Sequence, residues 1–289
     1  MPQRTVRLVT TPSDPREHAP GMANRPLILP GHWSDFDPFL VLMEDWMREP
    51  GRFPDHPHRG IETVTLVLDG ELHHADNRGN AGVLGADDVQ WMTAGKGIIH
   101  AELPNRDTSS HTLQLWLNLP SRRKMVEPDY QDLLASRATA IEDDRARIRV
   151  VSGAIEGVET PTRNHTPVQY LDVRIEASGR VSLPVPAAHN GVVLVLEGSV
   201  LVGSERVRAA EQVLWMDFPV EGAGVISALA IVGESPSRVL VVSGEPIRER
   251  VVAHGPFVMN TEEEIVHAYR DFHSGKFGGP TPAALGLNV

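Results

Sequence analysis

Phe53-Pro54-Asp55-His56-Pro57-His58-Arg59-Gly60 is answered further along the chain by Gly95-Lys96-Gly97-Ile98-Ile99-His100-Ala101-Glu102. Each stretch carries two metal-ligating side chains spaced i, i+2: His56 with His58, and His100 with Glu102. In an extended strand, side chains at i and i+2 leave the same face. Two neighbouring strands can therefore aim three imidazoles and one carboxylate at a common point inside a β-barrel. Three nitrogens and one oxygen, with coordination positions left open, suit a redox-active first-row metal such as iron(II). Manganese, nickel, copper and zinc accept the same donors, whereas calcium and magnesium prefer oxygen alone. A lone His-x-His would read as a surface or hydrogen-bonded pair; the second pair and the flanking glycines change that reading. Gly95 and Gly97 allow a sharp turn before His100. Pro57 cannot donate a ladder hydrogen bond and marks an edge or irregular strand at a barrel mouth.

Outward from these stretches the chain reads as short β-type runs divided by Gly, Pro, Asn and Asp. Thr63 to Leu68 ends at Asp69-Gly70, a turn pair that favours a hairpin, with Glu71 to Ala75 as the returning strand. Val89 to Thr93, Ile98 to Glu102 and Thr112 to Leu119 follow at similar intervals. Around residues 121–145 the sequence turns polar and is read as a connector. A second set then begins at Arg147 to Val151 and continues through Gln169 to Ile175, Gly191 to Leu196, Val200 to Val202, Gln212 to Met216 and Val239 to Val242. This rhythm predicts an antiparallel sandwich or barrel, not βαβ units. The two sets echo each other: Val67-Leu68-Asp69-Gly70 against Val195-Leu196-Glu197-Gly198, and Val89-Gln90-Trp91-Met92 against Val213-Leu214-Trp215-Met216. That order suggests an internal duplication of one barrel. Near the end, Thr261-Glu262-Glu263-Glu264 has capping-box spacing, Ile265, Val266, Tyr269 and Phe272 make a helical stripe, and Ser274-Gly275 stops it. The expected role of this helix is to pack across a barrel.

The chain has 289 residues, 41% of them hydrophobic and 22% charged, enough for a packed core. Its net charge of -11 argues against a nucleic-acid footprint. Arg122-Arg123-Lys124, the one compact basic run, reads as a solvated loop. With no cysteine, disulfides, zinc–thiolate sites, iron–sulfur clusters and thiol nucleophiles are excluded. No signal-like or membrane-spanning apolar run is visible, so a soluble, cytoplasmic protein is expected. Gly-x-Ser-x-Gly and the phosphate-loop patterns are absent.

Glu62 is a competing oxygen ligand, on the same alternation as His58, or an acceptor that orients one of the histidines. His74 is a further candidate to orient a ligand, while His73 falls on the opposite face. Phe53, Met43 and Trp116 are candidate apolar walls of a pocket. His18, His32, His111, His165, His189, His254, His267 and His273 have no spaced partner.

Phe53 to Thr63, Val89 to Glu102, Leu113 to Pro120 and Gly255-Pro256-Phe257-Val258-Met259-Asn260 together resemble the pirin family of the cupin superfamily. The resemblance implies an all-β fold of two tandem cupin (jelly-roll) barrels with a short C-terminal helix. It implies a metal-binding domain over residues 1–135 and a metal-free one over 136–289. It implies His56, His58, His100 and Glu102 as ligands, although ordinary cupins place their carboxylate where Glu62 stands. Two activities are open. One is a quercetin 2,3-dioxygenase that opens a flavonol with O₂ and releases carbon monoxide, with Glu102, and Glu62 beside it, accepting the substrate's proton. The other is a metal-dependent regulator that binds a transcription factor or a metabolic enzyme.

Overall fold

The computed structural model describes residues 1–31, 33–215 and 224–281; His32 and Met216 lie outside them. Two antiparallel barrels account for most of this chain. In the first, one face runs Asp129–Leu133, Val89–Thr93, Ile61–Asp76, Ser110–Asn118, Phe39–Met47, Met22–Ile28 and Arg16–Ala19. Its second face is formed by Phe53–His58, Ile98–Pro104, the far half of Ile61–Asp76, and Ala81–Gly85. The second barrel repeats the plan. A seven-stranded sheet from Leu8–Thr10 to Thr139–Glu142 is backed by Arg180–Pro186, Ile226–Gly233, Ser199–Val202 and Glu205–Arg208.

The expected hairpin at Asp69-Gly70 is not one. Ile61–Asp76 is a single long strand that bends through Gly70 and serves both faces of the barrel. Gly70 has φ +76, and a Cβ there would lie 1.7 Å from the Ser109 carbonyl oxygen. Only glycine fits such a conformation and such an approach. Gly198 repeats it, with φ +76 and a Cβ position 2.4 Å from the Pro236 carbonyl oxygen. The duplication thus extends to the bend itself.

The barrels stack face to face. Val64, Leu66, Val89, Trp91, Leu113, Leu115 and Leu117 of the first pack with Val151, Val168, Tyr170, Val192, Leu194, Leu240 and Val242 of the second in one core cluster. At the edge of this contact Asp87, with φ +71, binds Arg238 at 2.7 Å and Arg174 at 3.0 Å. Arg238 also pairs with Asp172 at 2.8 Å, both side chains being about 4–5% exposed.

The chain ends cross over between the barrels. Leu8–Thr10 pairs with Gln212–Trp215, and Arg4 donates from its amide to Ala228 of the second barrel. In return, Val252–His254, Phe257–Met259 and the helix Glu262–His273 pack on the first barrel. The helix carries the expected capping box at Thr261 and Glu264. Of the expected stripe, Ile265 is buried and Tyr269 and Phe272 pack against the same cluster, whereas Val266 is exposed; Ala268, not expected in the stripe, is buried.

Two further expectations need correction. Within the presumed connector, Asp129–Leu133 is a strand of the first barrel, paired to Val89–Thr93. Its polar residues alternate so that Gln131 turns inward, which hides its strand character from a reading of composition. Lys124 is not solvated but 1% exposed. Its ammonium donates to Gly60 O at 3.0 Å, Asn118 Oδ1 at 2.8 Å and Val258 O at 3.0 Å. Burial lowers its pKa to about 7. Three acceptors around three N–H bonds nevertheless favour the charged form. Among the described residues, no helix is long and apolar enough to cross a membrane.

Because the two barrels share one apolar core, they are expected to unfold together. Trp91→Ala should cost about 3–5 kcal/mol and shift a single urea transition. Two separate transitions in the variant would show that the shared core does not couple the barrels.

Candidate metal centre

Strand Phe53–His58 lies at a sheet edge, paired only with Ile98–Pro104, which is where its two prolines can be tolerated. The register sets His56 directly opposite His100. The ring centroids of His56 and His100 are 4.3 Å apart, those of His56 and His58 4.9 Å, and those of His58 and His100 5.1 Å. One nitrogen from each ring lies within 4.8 Å of the other two.

In each ring the Nδ1 side is already engaged. His56 Nδ1 meets the Pro54 carbonyl at 2.8 Å, and His58 Nδ1 meets that of Pro256 at 3.4 Å. His100 Nδ1 lies 3.0 Å from His74 Nε2. The Nε2 atoms of His58 and His100 are buried without a partner. A buried polar atom left unpaired is costly, and two such atoms converging with a third imidazole fit a cation. The protonation state agrees. Burial, followed by the mutual repulsion of the rings, pushes His58 and His100 well below the usual histidine range, and His56 below it. All three therefore offer neutral lone pairs, as ligands must. With His100 Nε2 free to ligate, its Nδ1–H donates to His74, which fixes the ring and raises its basicity. His74 is fully buried and stacks on Tyr130 with centroids 4.8 Å apart.

Glu102 shares the inward face of its strand with His100 and is 3% exposed. It does not join the tight cluster of three histidines. Gln114 Nε2 donates to both of its oxygens at 3.1 Å, while Gln114 Oε1 accepts from Trp116 Nε1 at 3.0 Å. Burial, offset by Gln114 and reinforced by the Asp45 charge, lifts the Glu102 pKa to about 7. Gln114, Asp45 and Thr65 were not singled out in the sequence. The signal was there: polar residues inside the apolar strands Phe39–Met47, Ile61–Asp76 and Ser110–Asn118, alternating with apolar residues that face the other barrel.

Glu62 is not brought to this cluster. Its Oε1 accepts from Thr93 Oγ1 at 2.9 Å and from the His165 amide at 3.0 Å, on the side facing the second barrel. Burial lifts its pKa to about 7, with these donors pulling the other way. Among its described residues the second barrel has nothing equivalent to the triad. The step along the chain that carries Gly70 to Gly198 carries His56, His58, His100 and Glu102 to Pro184, Pro186, Ala228 and Ala230. Pro184 pairs with Ala228 just as His56 pairs with His100.

Glu62→Gln should leave metal occupancy unchanged while altering the pH profile of stability. An acid whose folded pKa is raised binds its proton more tightly when folded, so its contribution falls as pH rises from about 4.5 to about 7. The variant should lose that decline, with its stability near pH 4.5 little changed. Metal analysis and urea titrations at both pH values check this. Loss of metal from Glu62→Gln would return Glu62 to the ligand set.

Comparison with known proteins agrees with this architecture. The family model described as Pirin matches residues 31–117, and the Pirin C-terminal cupin domain matches residues 170–278. A pirin-like protein of Arabidopsis thaliana is 43% identical over 254 residues, covering 84% of this chain and 80% of that protein. The Homo sapiens protein named Pirin is 39% identical over 247 residues, covering 84% of each. The crystal structure of a quercetin 2,3-dioxygenase from Acinetobacter baumannii superposes with a TM-score of 0.84 at 29% identity, covering 96% of this chain and 99% of that one. With both family domains in order and relatives near 40% identity across most of its length, the chain belongs to the pirin family.

Proposed function

We propose that this protein holds a single iron(II) ion on His56, His58 and His100, with Glu102 beside them, and uses it to oxygenate a flavonol. The observation that carries this reading is the convergence of three neutral imidazoles, two of them with buried, unpartnered Nε2 atoms. The likeness to a quercetin 2,3-dioxygenase at 29% identity over nearly the whole chain supports the choice of reaction.

When bound, the ion supplies Lewis acidity and a path for electrons between substrate and O₂. The chain's own residues do the rest. Glu102, held by the side-chain amide of Gln114, is an acceptor suited to take the proton of the flavonol 3-hydroxyl. Gln114 is itself fixed by Trp116. The Trp116 ring stands edge-on to His58 with centroids 5.0 Å apart, and packs with Met43, Val41 and Ile98. This apolar wall would seat a planar aromatic ring against the centre and exclude water. Glu62, turned toward the second barrel, is left out of the proton transfer.

The test is anaerobic loading with iron(II), then addition of quercetin and O₂ with detection of carbon monoxide. One ion per chain is expected, with turnover lost on chelation and restored by iron(II). His56→Ala and His100→Ala should remove most of the metal while the protein stays folded, since the apolar cores do not depend on the ion. Glu102→Gln should weaken metal binding and abolish turnover. A fully metallated protein inert toward several flavonols would refute the oxygenase reading. Capture of a stable protein partner by that metallated form would turn it toward a regulator.

A further inference from the structure

The strands that carry the three histidines are held from outside their own barrel. Arg59, next to His58, donates from Nε to the Lys96 carbonyl at 2.7 Å and from Nη1 to Asp271 Oδ2 at 3.0 Å. Its guanidinium lies 4.6 Å from the centre of the Phe277 ring. The same ring rests on the backbone of Gly97, where a Cβ would come within 2.8 Å of three ring carbons. Phe277 shares a buried cluster with Ile99, the residue before His100. Asn77 closes the arrangement, accepting from the Ile99 amide at 3.2 Å and donating to the Phe277 carbonyl at 2.7 Å.

The rest of the C-terminal segment grips the same two strands. Val258 donates from its amide to the Arg59 carbonyl at 3.1 Å. Pro256, one residue before Phe257, offers the carbonyl that faces His58 Nδ1. Lys124 ties Gly60 O to Val258 O. The Thr281 amide donates at 2.9 Å to Asp55, the neighbour of His56.

We propose that Phe277, seated between Arg59 and Gly97, is a positioning residue for the metal centre. It sets the spacing of the strand carrying His56 and His58 from the strand carrying His100. The proposal rests on the reading of those three imidazoles as ligands. A metal site tolerates errors of only about 0.2 Å in its ligand distances, and an edge strand containing two prolines cannot hold such tolerance by its own ladder. The aromatic ring fills the space left by Gly97 and gives the Arg59 cation a face to rest on. Removing the ring leaves a cavity between two ligand-bearing segments and frees each to relax separately.

The experiment uses the full chain, stripped of metal and titrated anaerobically with cobalt(II) against a chromophoric chelator. It reads affinity and the ligand-field absorption of the bound ion. Phe277→Ala should weaken cobalt(II) binding about ten-fold or more, the usual size of an effect relayed through a ligand's support, and should shift the absorption bands. Phe277→Leu, which refills part of the space, should recover part of both. Leu183→Ala in the core of the second barrel, chosen to lose comparable thermal stability, should leave both readouts at wild-type values. Wild-type affinity and spectrum in Phe277→Ala would overturn the proposal, as would an equal loss in Leu183→Ala. If Phe277→Ala does not fold, Asp271→Asn loosens Arg59 from the other side; an unchanged affinity and spectrum there would also overturn it. A wild-type chain that binds no cobalt(II) would sink the metal-centre reading, and this proposal with it.

Discussion

Two imidazole nitrogens buried without partners impose the constraint around which this molecule is arranged. Each such atom costs about 1–3 kcal/mol when nothing pairs with it, yet His58 and His100 both hold Nε2 in this state. Their rings are prevented from turning away. The Pro256 carbonyl and the ring of His74 occupy their other nitrogens, as the Pro54 carbonyl does that of His56. Trp116, edge-on to His58, packs with Met43 against the apolar cluster that contains Val41 and Ile98. The barrel thus keeps a set of lone pairs that no described protein group satisfies and that a cation can.

The second barrel explains how the chain tolerates this. Its interior is a continuous cluster of valine, leucine and isoleucine, from Ile148 through Val241, and the positions matching the four candidate ligands are proline and alanine. One copy of the duplicated fold is therefore filled with apolar side chains, whereas the other is polar around Asp45, Thr65, Glu102 and Gln114. The cluster shared between the barrels, with Trp91 and Tyr170 at its heart, lets the stable copy support the polar one.

The i, i+2 pairs in the sequence were legible because each lies within one uninterrupted strand, where alternation is reliable. Glu62 was misleading for a physical reason. Phe53–His58 ends before Gly60, which has φ +81, and a new strand begins at Ile61, so face parity does not carry across. Within Ile61–Asp76, the register then slips between Val67 and Asp69. Beyond that slip the even positions turn inward: Glu62 faces the second barrel while His74 faces His100. Alternation cannot reveal a bulge that only the pairing strand defines. Lys124 escaped for a related reason: its three acceptors come from Gly60, Asn118 and Val258, far apart in sequence. No local pattern announces a buried ammonium of that kind.

The exchange of chain ends completes the argument. Residues near the N-terminus close the second barrel, with Arg4 donating to Ser227 at 2.8 Å and to the Ala187 carbonyl at 3.1 Å. Residues near the C-terminus close the first. The Gln3–Ala228 bridge lies at the position matching His100, and the Arg59–Phe257 bridge lies beside His58. In one barrel the arm covers proline and alanine; in the other it delivers the Pro256 carbonyl to a ligand ring. The arm that closes an edge in the filled copy reaches the histidine cluster in the polar one. The first barrel, cut off after its last strand, would keep all four candidate ligands and the Pro54, His74 and Gln114 contacts to three of them, but would lose the Pro256 carbonyl that faces His58 and the Phe277 ring packed between Arg59 and Gly97, because those belong to the other end of the chain.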